Sequence, residues 1–365
     1  MKKLLRSLLA LTLLLLALTG CRSVTPAPPP EAAHPTRILT DGAGRTVEIP
    51  QSVESVVCVG VGALRYTCYV GGQRRVVGVE DYEHQRALTR LYNYVNHHLF
   101  ADLPAIGGNG EPWAESIMAV RPQVIVMSAY ASADPDQLQQ KTGIPVVVVP
   151  GSDALLDDGA YETIRLLGQL YGLEDRAQEL TVWLRDMEAE LAHRTAGIPE
   201  EDRPTAYVCG LSYQGAHGLE GTEAGYGPFA LIGARNLADA AGRSGPFDID
   251  PEQVLVWDPH VIFVDFNGLE LIEAHRRDNP DYYDSLTAVR EGRVYSQISF
   301  RSYAANLDTA LADAWYAGTV LYPEEFADVD MEAKAGEIFT ALLGADPYDD
   351  LKEAGYAFRP IQLIP

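Results

Sequence analysis

The stretch Glu115-Ser-Ile-Met-Ala-Val-Arg-Pro122-Gln-Val-Ile-Val126 has a second copy, Glu252-Gln-Val-Leu-Val-Trp-Asp-Pro259-His-Val-Ile-Phe263. Each copy starts with an acid, runs through an apolar helical turn to a proline seven residues on, and ends in a run typical of a buried strand. Each copy is preceded by a further apolar run, and these runs also correspond: Ser55-Val-Val-Cys-Val-Gly60 before the first copy and Thr205-Ala-Tyr-Val-Cys-Gly210 before the second. A chance match is the alternative, because helix–proline–strand joints are common in α/β proteins. Two matches in the same order nevertheless predict two similar lobes.

The pattern along both halves is typical of α/β architecture. Short apolar runs alternate with longer amphipathic stretches, as in proteins with parallel sheets. We expect a helix over Ala63–Val70, a strand over Val294–Ile298 and a helix that begins near Asn306. The other main strands are expected at Ser55–Val59, Val76–Val79, Val124–Met127 and Ile144–Val149. The predicted fold class is α/β, with two Rossmann-like lobes of mainly parallel sheets joined by a long rigid inter-lobe helix.

Residues 153–198 are the predicted inter-lobe helix. From Ala154 to Arg194 the chain has no proline, and leucines recur at near-helical spacing. A glycine, Gly172, marks an expected interruption after Tyr171. The helix separates an N-terminal lobe, 37–152, from a C-terminal lobe, 199–345. Residues 346–365 form a polar, proline-containing tail to which the pattern assigns no role.

The first 36 residues are expected to lie outside the fold. Lys2, Lys3 and Arg6 precede the apolar run Leu8–Leu18, which is too short to span a bilayer and has the length of a signal-peptide core. The run ends in Leu18-Thr19-Gly20-Cys21, which resembles a bacterial lipobox. We therefore expect a signal peptide over 1–20, lipid attachment at Cys21, a proline-rich tether over 21–36, and an exported protein held on the outer face of the cell membrane. The alternative is an ordinary secretory signal in which Cys21 is incidental.

Composition excludes several functions. The chain has 28 basic and 51 acidic residues and a net charge of −23, which argues against binding to nucleic acid. Cys58, Cys68 and Cys209 are an odd number and form no CxxC pair, so neither a complete disulfide framework nor a zinc knuckle is expected. No histidine pair has metal-ligand spacing, and no serine lies in a nucleophile elbow. We expect neither an enzyme nor a bound cofactor or metal.

The strand ends indicate where a ligand would bind. In open α/β sheets, ligands lie beyond the carboxyl ends of strands, and here those segments are rich in Gly, Tyr and Asn. The chain has 19 Tyr and 9 Phe, and tyrosine suits a wet cleft. Arg301 is the candidate for clamping a carboxylate, phosphate or catecholate, and its alternative is a salt bridge to one of the many acids. The predicted ligand-binding residues are Tyr82, Trp113, Tyr130, Tyr213, Arg301 and Tyr303. For the tyrosines, a surface or core-edge position is the alternative.

Several of these motifs together resemble a known family. Thr40-Asp-Gly-Ala-Gly-Arg-Thr-Val-Glu-Ile-Pro50 resembles the opening strand pair of class III ABC-transporter substrate-binding proteins, the periplasmic binding proteins for iron-siderophores, haem and cobalamin. The two helix–proline–strand stretches match that family's signatures. Asn306–Gly318 with Leu321-Tyr-Pro323 resembles the C-terminal helix of an iron-transport branch. The resemblance runs from about Ile38 to Gly344.

The resemblance implies a function. It implies a monomer that captures an iron-siderophore or similar metal chelate between its lobes and docks on an ABC permease dimer, with its ATPase, through Glu115 and Glu252. Haem, a corrinoid or a molybdate-type oxyanion are alternative cargoes. A chelatase-like enzyme and a structural lipoprotein with an empty cleft are alternative functions. Two segments depart from the family's pattern: Gly60–Arg65 lacks the polar residues expected after the first strand, and Tyr92–His98 is an insertion.

Overall fold

The computed structural model describes residues 35–152, 155–213 and 215–363. The predicted signal peptide, Cys21 and nearly all of the tether lie outside the described residues. The strands are β1 Thr36–Thr40, β2 Thr46–Pro50, β3 Val56–Val59, β4 Val76–Glu80, β5 Ala105–Gly108, β6 Glu111–Pro112, β7 Val124–Ser128, β8 Val146–Val149, β9 Thr205–Cys209, β10 Gly221–Ala224, β11 Arg235–Asn236, β12 Gly245–Asp248, β13 Val261–Asp265 and β14 Val294–Gln297.

The helices alternate with these strands. They are α1 Ala63–Val70, α2 Leu91–Phe100, α3 Ala114–Val120, α4 Pro135–Thr142, α5 Asp158–Tyr171, α6 Glu174–Thr195, α7 Gly227–Leu231, α8 Pro251–Trp257, α9 Phe266–Asp278, α10 Pro280–Ser285, α11 Thr287–Arg290, α12 Leu307–Leu321, α13 Met331–Leu343 and α14 Tyr348–Glu353. Short 3-10 turns lie at Gln73–Arg75, Asp81–His84, Glu200–Asp202 and Leu237–Ala241. Within the described residues, no helix is long and apolar enough to cross a lipid bilayer.

Two main sheets confirm the predicted fold class. The first lobe is built on the order β6-β5-β4-β3-β7-β8, which is parallel except for β6, and the second on the all-parallel order β11-β9-β13-β14. The pairs β1–β2 and β10–β12 are separate antiparallel ribbons. The first lobe ends and the second begins on either side of α5 and α6. Residues 36–365 form one compact unit, and its largest hydrophobic core includes side chains of both lobes.

The internal repeat is present in three dimensions. In each copy the helix, α3 or α8, ends on a left-handed residue just before the proline, with φ of 48° or 41°. The residue after the proline then donates its backbone N–H to a hydroxyl beside the lobe's first central strand. Gln123 donates to Ser55 Oγ and His260 donates to Thr205 Oγ1, both at 3.1 Å. Each lobe therefore contains an equivalent hydrogen bond at the same position of the repeat.

The inter-lobe segment is a pair of helices rather than one. α5 ends at Gly172, whose left-handed φ of 65° closes the last turn, and α6 continues for 22 residues from Glu174. This is the interruption that the sequence predicts. The helices pack closely at Gly168, where a Cβ would collide with the side chain of Ala177.

Residues 346–363 extend the second lobe. Tyr348 and Leu351 of α14 are buried in the core, and Ile361 is buried further along. The chain then runs beside β14, with Ser296 N donating to Arg359 O at 3.0 Å and Ile361 N donating to Val294 O at 2.8 Å. Apolar residues spaced among polar ones make this segment part of the fold.

Candidate functional site

A cavity of about 660 Å³ opens where the carboxyl ends of strands from both lobes meet. We call it the cleft. It is lined by Asn109, Ser212, Tyr213, Gly215, Pro246, Asn267, Arg301, Ser302, Tyr303 and Ala304. Asn109 comes from the β5–β6 turn of the first lobe, and the others follow second-lobe strands or, for Pro246, lie in β12. Because β9, β13 and β14 are neighbours in one parallel sheet, the segments that follow them meet at one edge.

The structure brings four of the six predicted ligand-binding residues together. Tyr213, Arg301 and Tyr303 line the cleft. Tyr82 lies behind Tyr303, with the two rings stacked at 4.2 Å between centroids and 7° between planes. The remaining two, Trp113 and Tyr130, are 44% and 42% exposed on the first lobe and do not line this cavity.

Arg301 forms an ion pair with Glu223 of β10. Its Nε and one Nη donate to the two carboxylate oxygens, which is the salt-bridge alternative that the sequence left open. Glu223 is only 2% exposed, whereas about a fifth of the Arg301 side chain is accessible. Burial raises the pKa of Glu223, and the guanidinium opposes that rise. The cation at the cleft wall is therefore already neutralised.

Tyr213 belongs to a cluster at the cleft rim. Its ring stacks on the imidazole of His217 at 3.9 Å, and its hydroxyl donates to Asp248 Oδ1. His217 Nδ1 lies 2.9 Å from the same carboxylate, and its Nε2 lies 2.8 Å from the carbonyl oxygen of Tyr213. Burial and the hydrogen bond to the carboxylate raise the pKa of Tyr213, so the phenol stays protonated. The stacking on His217 and the hydrogen bond to Asp248 thus hold the aromatic ring of Tyr213 in place.

A buried arginine supports the stacked tyrosines. The Arg90 guanidinium lies 4.9 Å from the ring centroid of Tyr303 and 5.2 Å from that of Tyr82. It also donates to the carbonyl oxygens of Tyr82 and Gln85, both at 2.9 Å. Arg90 is 2% exposed, so its attraction to both rings acts in a desolvated setting.

Buried carboxylates hold the backbone around the cleft. Glu80 accepts from Gly110 N at 2.5 Å and Gly60 N at 2.9 Å, which fixes the turn that carries Asn109. Burial raises the pKa of Glu80, and these amides partly offset that rise. In the second lobe, Asp265 accepts from Asn267 N at 2.9 Å.

Asp265 is one of the buried acids of the second lobe whose pKa is raised by burial. It also accepts from Ser299 Oγ, and burial raises its pKa to about 7, against the effect of these two hydrogen bonds. Both Asn267, which lines the cleft, and the segment after β14 are therefore tied to one buried carboxyl group.

The described residues contain neither a metal-binding cluster nor an activated thiol. No group of three His, Cys, Asp or Glu side chains among them could hold a metal ion. Cys58, Cys68 and Cys209 are free and buried, and burial raises the pKa of Cys58 to about 12, which keeps its thiol protonated. The cleft offers amides, hydroxyls and aromatic faces. Such groups recognise a ligand by shape and hydrogen bonding.

Sequence reasoning placed the segments of the cleft but did not select all of its side chains. Asn109, Ser212, Asn267 and Ser302 lie beyond the carboxyl ends of strands, where the sequence predicts a ligand, but no sequence signal singles out these four residues. A signal did exist for Arg65, which donates to backbone carbonyl oxygens of the loop that carries Arg301: it is the one charged residue of helix α1.

The chain matches one protein family and is similar to solved binding proteins. Residues 61–297 match the family described as Periplasmic binding protein. The molybdate-binding protein MolA of Haemophilus influenzae is 23% identical over 323 residues, which are 83% of this chain and 90% of MolA. The solved structure of MolA bound to molybdate is similar to this chain with a TM-score of 0.68 and 20% identity, covering 85% of this chain and 98% of MolA.

Two further solved structures share the fold. The TroA-like periplasmic binding protein FepB from Veillonella parvula is similar with a TM-score of 0.65 and 22% identity, covering 86% of this chain and 97% of its own. The heme-binding protein RhuT from Roseiflexus sp. RS-1 is similar with a TM-score of 0.53 and 19% identity, covering 77% and 99%.

Proposed function

The chain belongs to the periplasmic binding protein family, and on that premise we propose that it captures a metal chelate of the iron-siderophore kind in the cleft and delivers it to its permease. It is an exported solute-binding protein of an ABC importer and not an enzyme. The cargo, its contacts, the docking residues and the lipid anchor are the parts that we propose.

The size and chemistry of the cleft carry the choice of cargo. A cavity of about 660 Å³ is in the range that multi-atom ligands fill, and a bare oxyanion would leave most of it to water. Its walls combine the rings of Tyr213 and Tyr303 with neutral donors and acceptors such as Asn267. Among the described lining residues Arg301 is the one cation, and its charge is shared with Glu223, which favours a large ligand of diffuse charge over a small, compact anion.

An oxyanion is the second candidate, because the relative MolA is a molybdate-binding protein. Arg301 would then have to exchange Glu223 for the anion, with Asn109 and Asn267 as additional donors. Haem, which RhuT binds, is a third cargo that the same experiment covers.

Docking on the permease is proposed for Glu115 and Glu252. Both carboxylates are exposed at equivalent positions of the repeat, on α3 and α8, and neither has an ion-pair partner among the described residues. An exposed apolar side chain lies one turn further on each helix, Met118 at 39% and Val256 at 77% exposure. Two such acid-plus-apolar patches fit a partner with two-fold symmetry that presents a cation beside an apolar surface.

Attachment to the membrane is proposed at Cys21, with residues 21–36 as the tether. The basis is the lipobox-like Leu18-Thr-Gly-Cys21 and the prolines that follow it. Proline-rich sequences favour extended conformations, and a tether of this kind would keep a monomeric binding domain clear of the lipid surface.

Thermal unfolding of the full chain in mild detergent, against a panel of ligands, tests the cargo. A ligand at 100 times its Kd stabilises a protein by about 2.7 kcal/mol, which moves Tm by several degrees. We expect ferric siderophores to raise Tm and molybdate to have no effect. A shift with molybdate or tungstate alone would establish the oxyanion, one with haem or a corrinoid alone would establish that cargo, and no shift with any ligand would favour a structural lipoprotein.

A further inference from the structure

Arg65 crosses from the first lobe to the loop that carries Arg301 and Tyr303. It lies on α1, is 1% exposed, and donates to three backbone carbonyl oxygens of the second lobe. The distances are 3.0 Å to Ser302 O, 2.5 Å to Tyr303 O and 2.7 Å to Ala305 O. We propose that Arg65 is a positioning residue that sets this loop in its ligand-binding conformation, so that affinity for cargo depends on how the lobes are joined. The cargo part of this inference rests on the proposed function.

The loop needs support from outside because its backbone is strained. Tyr303 and Ala304 are consecutive non-glycine residues in the left-handed region, with φ of 53° and 67°. Such residues are strained, and their conformation persists only where the surrounding structure holds it in place. The conformation turns the carbonyl groups of 302, 303 and 305 toward one guanidinium and leaves the Tyr303 ring against Tyr82.

Two side chains, one from each lobe, hold the loop. Asn306, at the start of α12, donates through Nδ2 to Phe300 O at 2.8 Å, Ser302 O at 3.1 Å and Ala304 O at 3.3 Å. Arg65 takes carbonyls that Asn306 does not reach and also shares Ser302 O. Asn306 is local to the second lobe, so of these two side chains it is Arg65 that makes the backbone conformation of the loop depend on the first lobe.

The chemistry of Arg65 suits positioning. No carboxylate forms an ion pair with it among the described residues, and its cation is satisfied by carbonyl dipoles and by the ring of Tyr92 at 5.2 Å. Its Nε has no hydrogen-bond partner in that part of the chain. Burying such a cation costs desolvation free energy. The planar guanidinium nevertheless reaches three carbonyl oxygens at once, which a lysine ammonium cannot do.

Two neighbouring hydrogen bonds also join the first lobe to the second near this loop. Tyr69, one turn further along α1, donates its hydroxyl to Asp308 at 2.9 Å, and Ser302 Oγ lies 3.3 Å from Thr89 Oγ1. Residues four apart lie on one helix face, so α1 presents Arg65 and Tyr69 together to the second lobe. The Gly60–Arg65 segment does not line the cleft, and it contacts the backbone of the cleft loop through Arg65.

The test compares Arg65→Lys with Arg75→Lys in the full chain. Arg75 also donates to two carbonyl oxygens, Val53 O at 3.1 Å and Tyr171 O at 3.3 Å, and packs on an aromatic ring, but it has no contact with the loop. Hydrogen exchange of residues 300–306 is measured without any ligand. We expect Arg65→Lys to remove the protection of these amides, including Asn306 N–H, which donates to Phe300 O at 2.9 Å, and Arg75→Lys to preserve it.

Affinity provides the second readout. For the panel ligand that stabilises the wild type, Arg65→Lys is expected to weaken binding about tenfold or more. Arg75→Lys is expected to lower Tm by a similar amount and to leave the affinity unchanged. Ala304→Gly added to Arg65→Lys should recover part of the affinity, because glycine accepts φ of 67° without strain. If Arg65→Lys does not fold, Arg65→Gln is used in its place.

Unchanged exchange in the loop would overturn the proposal whatever the cargo is, and so would lost protection with unchanged affinity. If no ligand binds the wild type, the proposed cargo fails while the exchange experiment still decides the role of Arg65.

Discussion

Arg301 and Glu223 are joined by two parallel hydrogen bonds across 78 residues of chain, and Arg301 lies on the wall of two cavities at once. One cavity is the cleft, and the other, of about 650 Å³, has Glu223, Leu155 and Phe300 among its lining residues. The pair therefore determines how much positive charge a ligand meets. A ligand that needs Arg301 must compete with a buried carboxylate.

Glu223→Gln is expected to raise the affinity for an anionic ligand. The substitution removes the competing charge and leaves the guanidinium available, so a ferric catecholate should bind about tenfold more tightly. A neutral ligand should be unaffected. Calorimetric titration measures both, with Arg301→Ala as the companion variant that should lose the gain. An equal affinity of wild type and Glu223→Gln for the anion would remove Arg301 from the binding surface.

Asp265 predicts how stability depends on pH. Its pKa is about 7 in the folded protein against 3.8 ordinarily, so between these values the native state keeps a proton that the unfolded chain has released. The contribution of Asp265 to the free energy of unfolding therefore falls as pH rises from about 4 to 7 and is constant above 7, a loss of about 4 kcal/mol at the most. Asp265→Asn should be more stable than wild type at pH 8 and similar to it at pH 4. Parallel curves of Tm against pH for the two proteins would contradict this.

Charge reversal at Glu115 and Glu252 should block uptake and leave cargo binding intact. Two exposed acids set orientation and association rate, so the association rate with the permease in vesicles should fall and lose its salt dependence. Reversal of Glu174 and Asp281, exposed acids in the first turns of other helices, is the matched control. Lost cargo binding in the Glu115/Glu252 variant would place these acids in the wrong role.

The apolar neighbours should act on the lifetime of the same complex. Met118→Ser with Val256→Ser is expected to speed dissociation from the permease about tenfold, since truncated apolar contacts act mainly on the dissociation rate. Val182 and Leu271 are exposed to 47% and 45% elsewhere, and their serine variants serve as controls. Equal effects of the two pairs would mean that Met118 and Val256 are ordinary surface residues.

Local patterns were enough for the framework of the fold. The helix Ala63–Val70 has the predicted bounds because its apolar spacing stops at two glycines, the first of which closes the last turn in the left-handed region. The repeat located both α3–β7 and α8–β13. Tyr213, Arg301 and Tyr303 line one cleft because the strands that precede them belong to one parallel sheet, an architecture that the alternating pattern of the sequence predicts.

Contacts between distant segments lay beyond such reasoning. Trp113 and Tyr130 are exposed outside the cleft lining because the short antiparallel strand β6 and the turn after β7 redirect the chain. The ion pair of Arg301 depends on the glycine-bounded β10–β12 ribbon, which has no strong strand pattern. Arg65 stands out as the charged residue of helix α1, but its partners lie 237 or more residues away, so the sequence does not identify them.

The most direct test of the central claim, that the cleft is the cargo site, is calorimetric titration of two double variants with the ligand that stabilises the wild type. Tyr213→Ala with Tyr303→Ala removes the two aromatic walls, and Trp113→Ala with Tyr130→Ala removes two exposed aromatic side chains outside the lining. The account predicts that the first pair weakens binding about 30-fold or more and that the second leaves it unchanged. The reverse result, with binding lost only in the second pair, would contradict it.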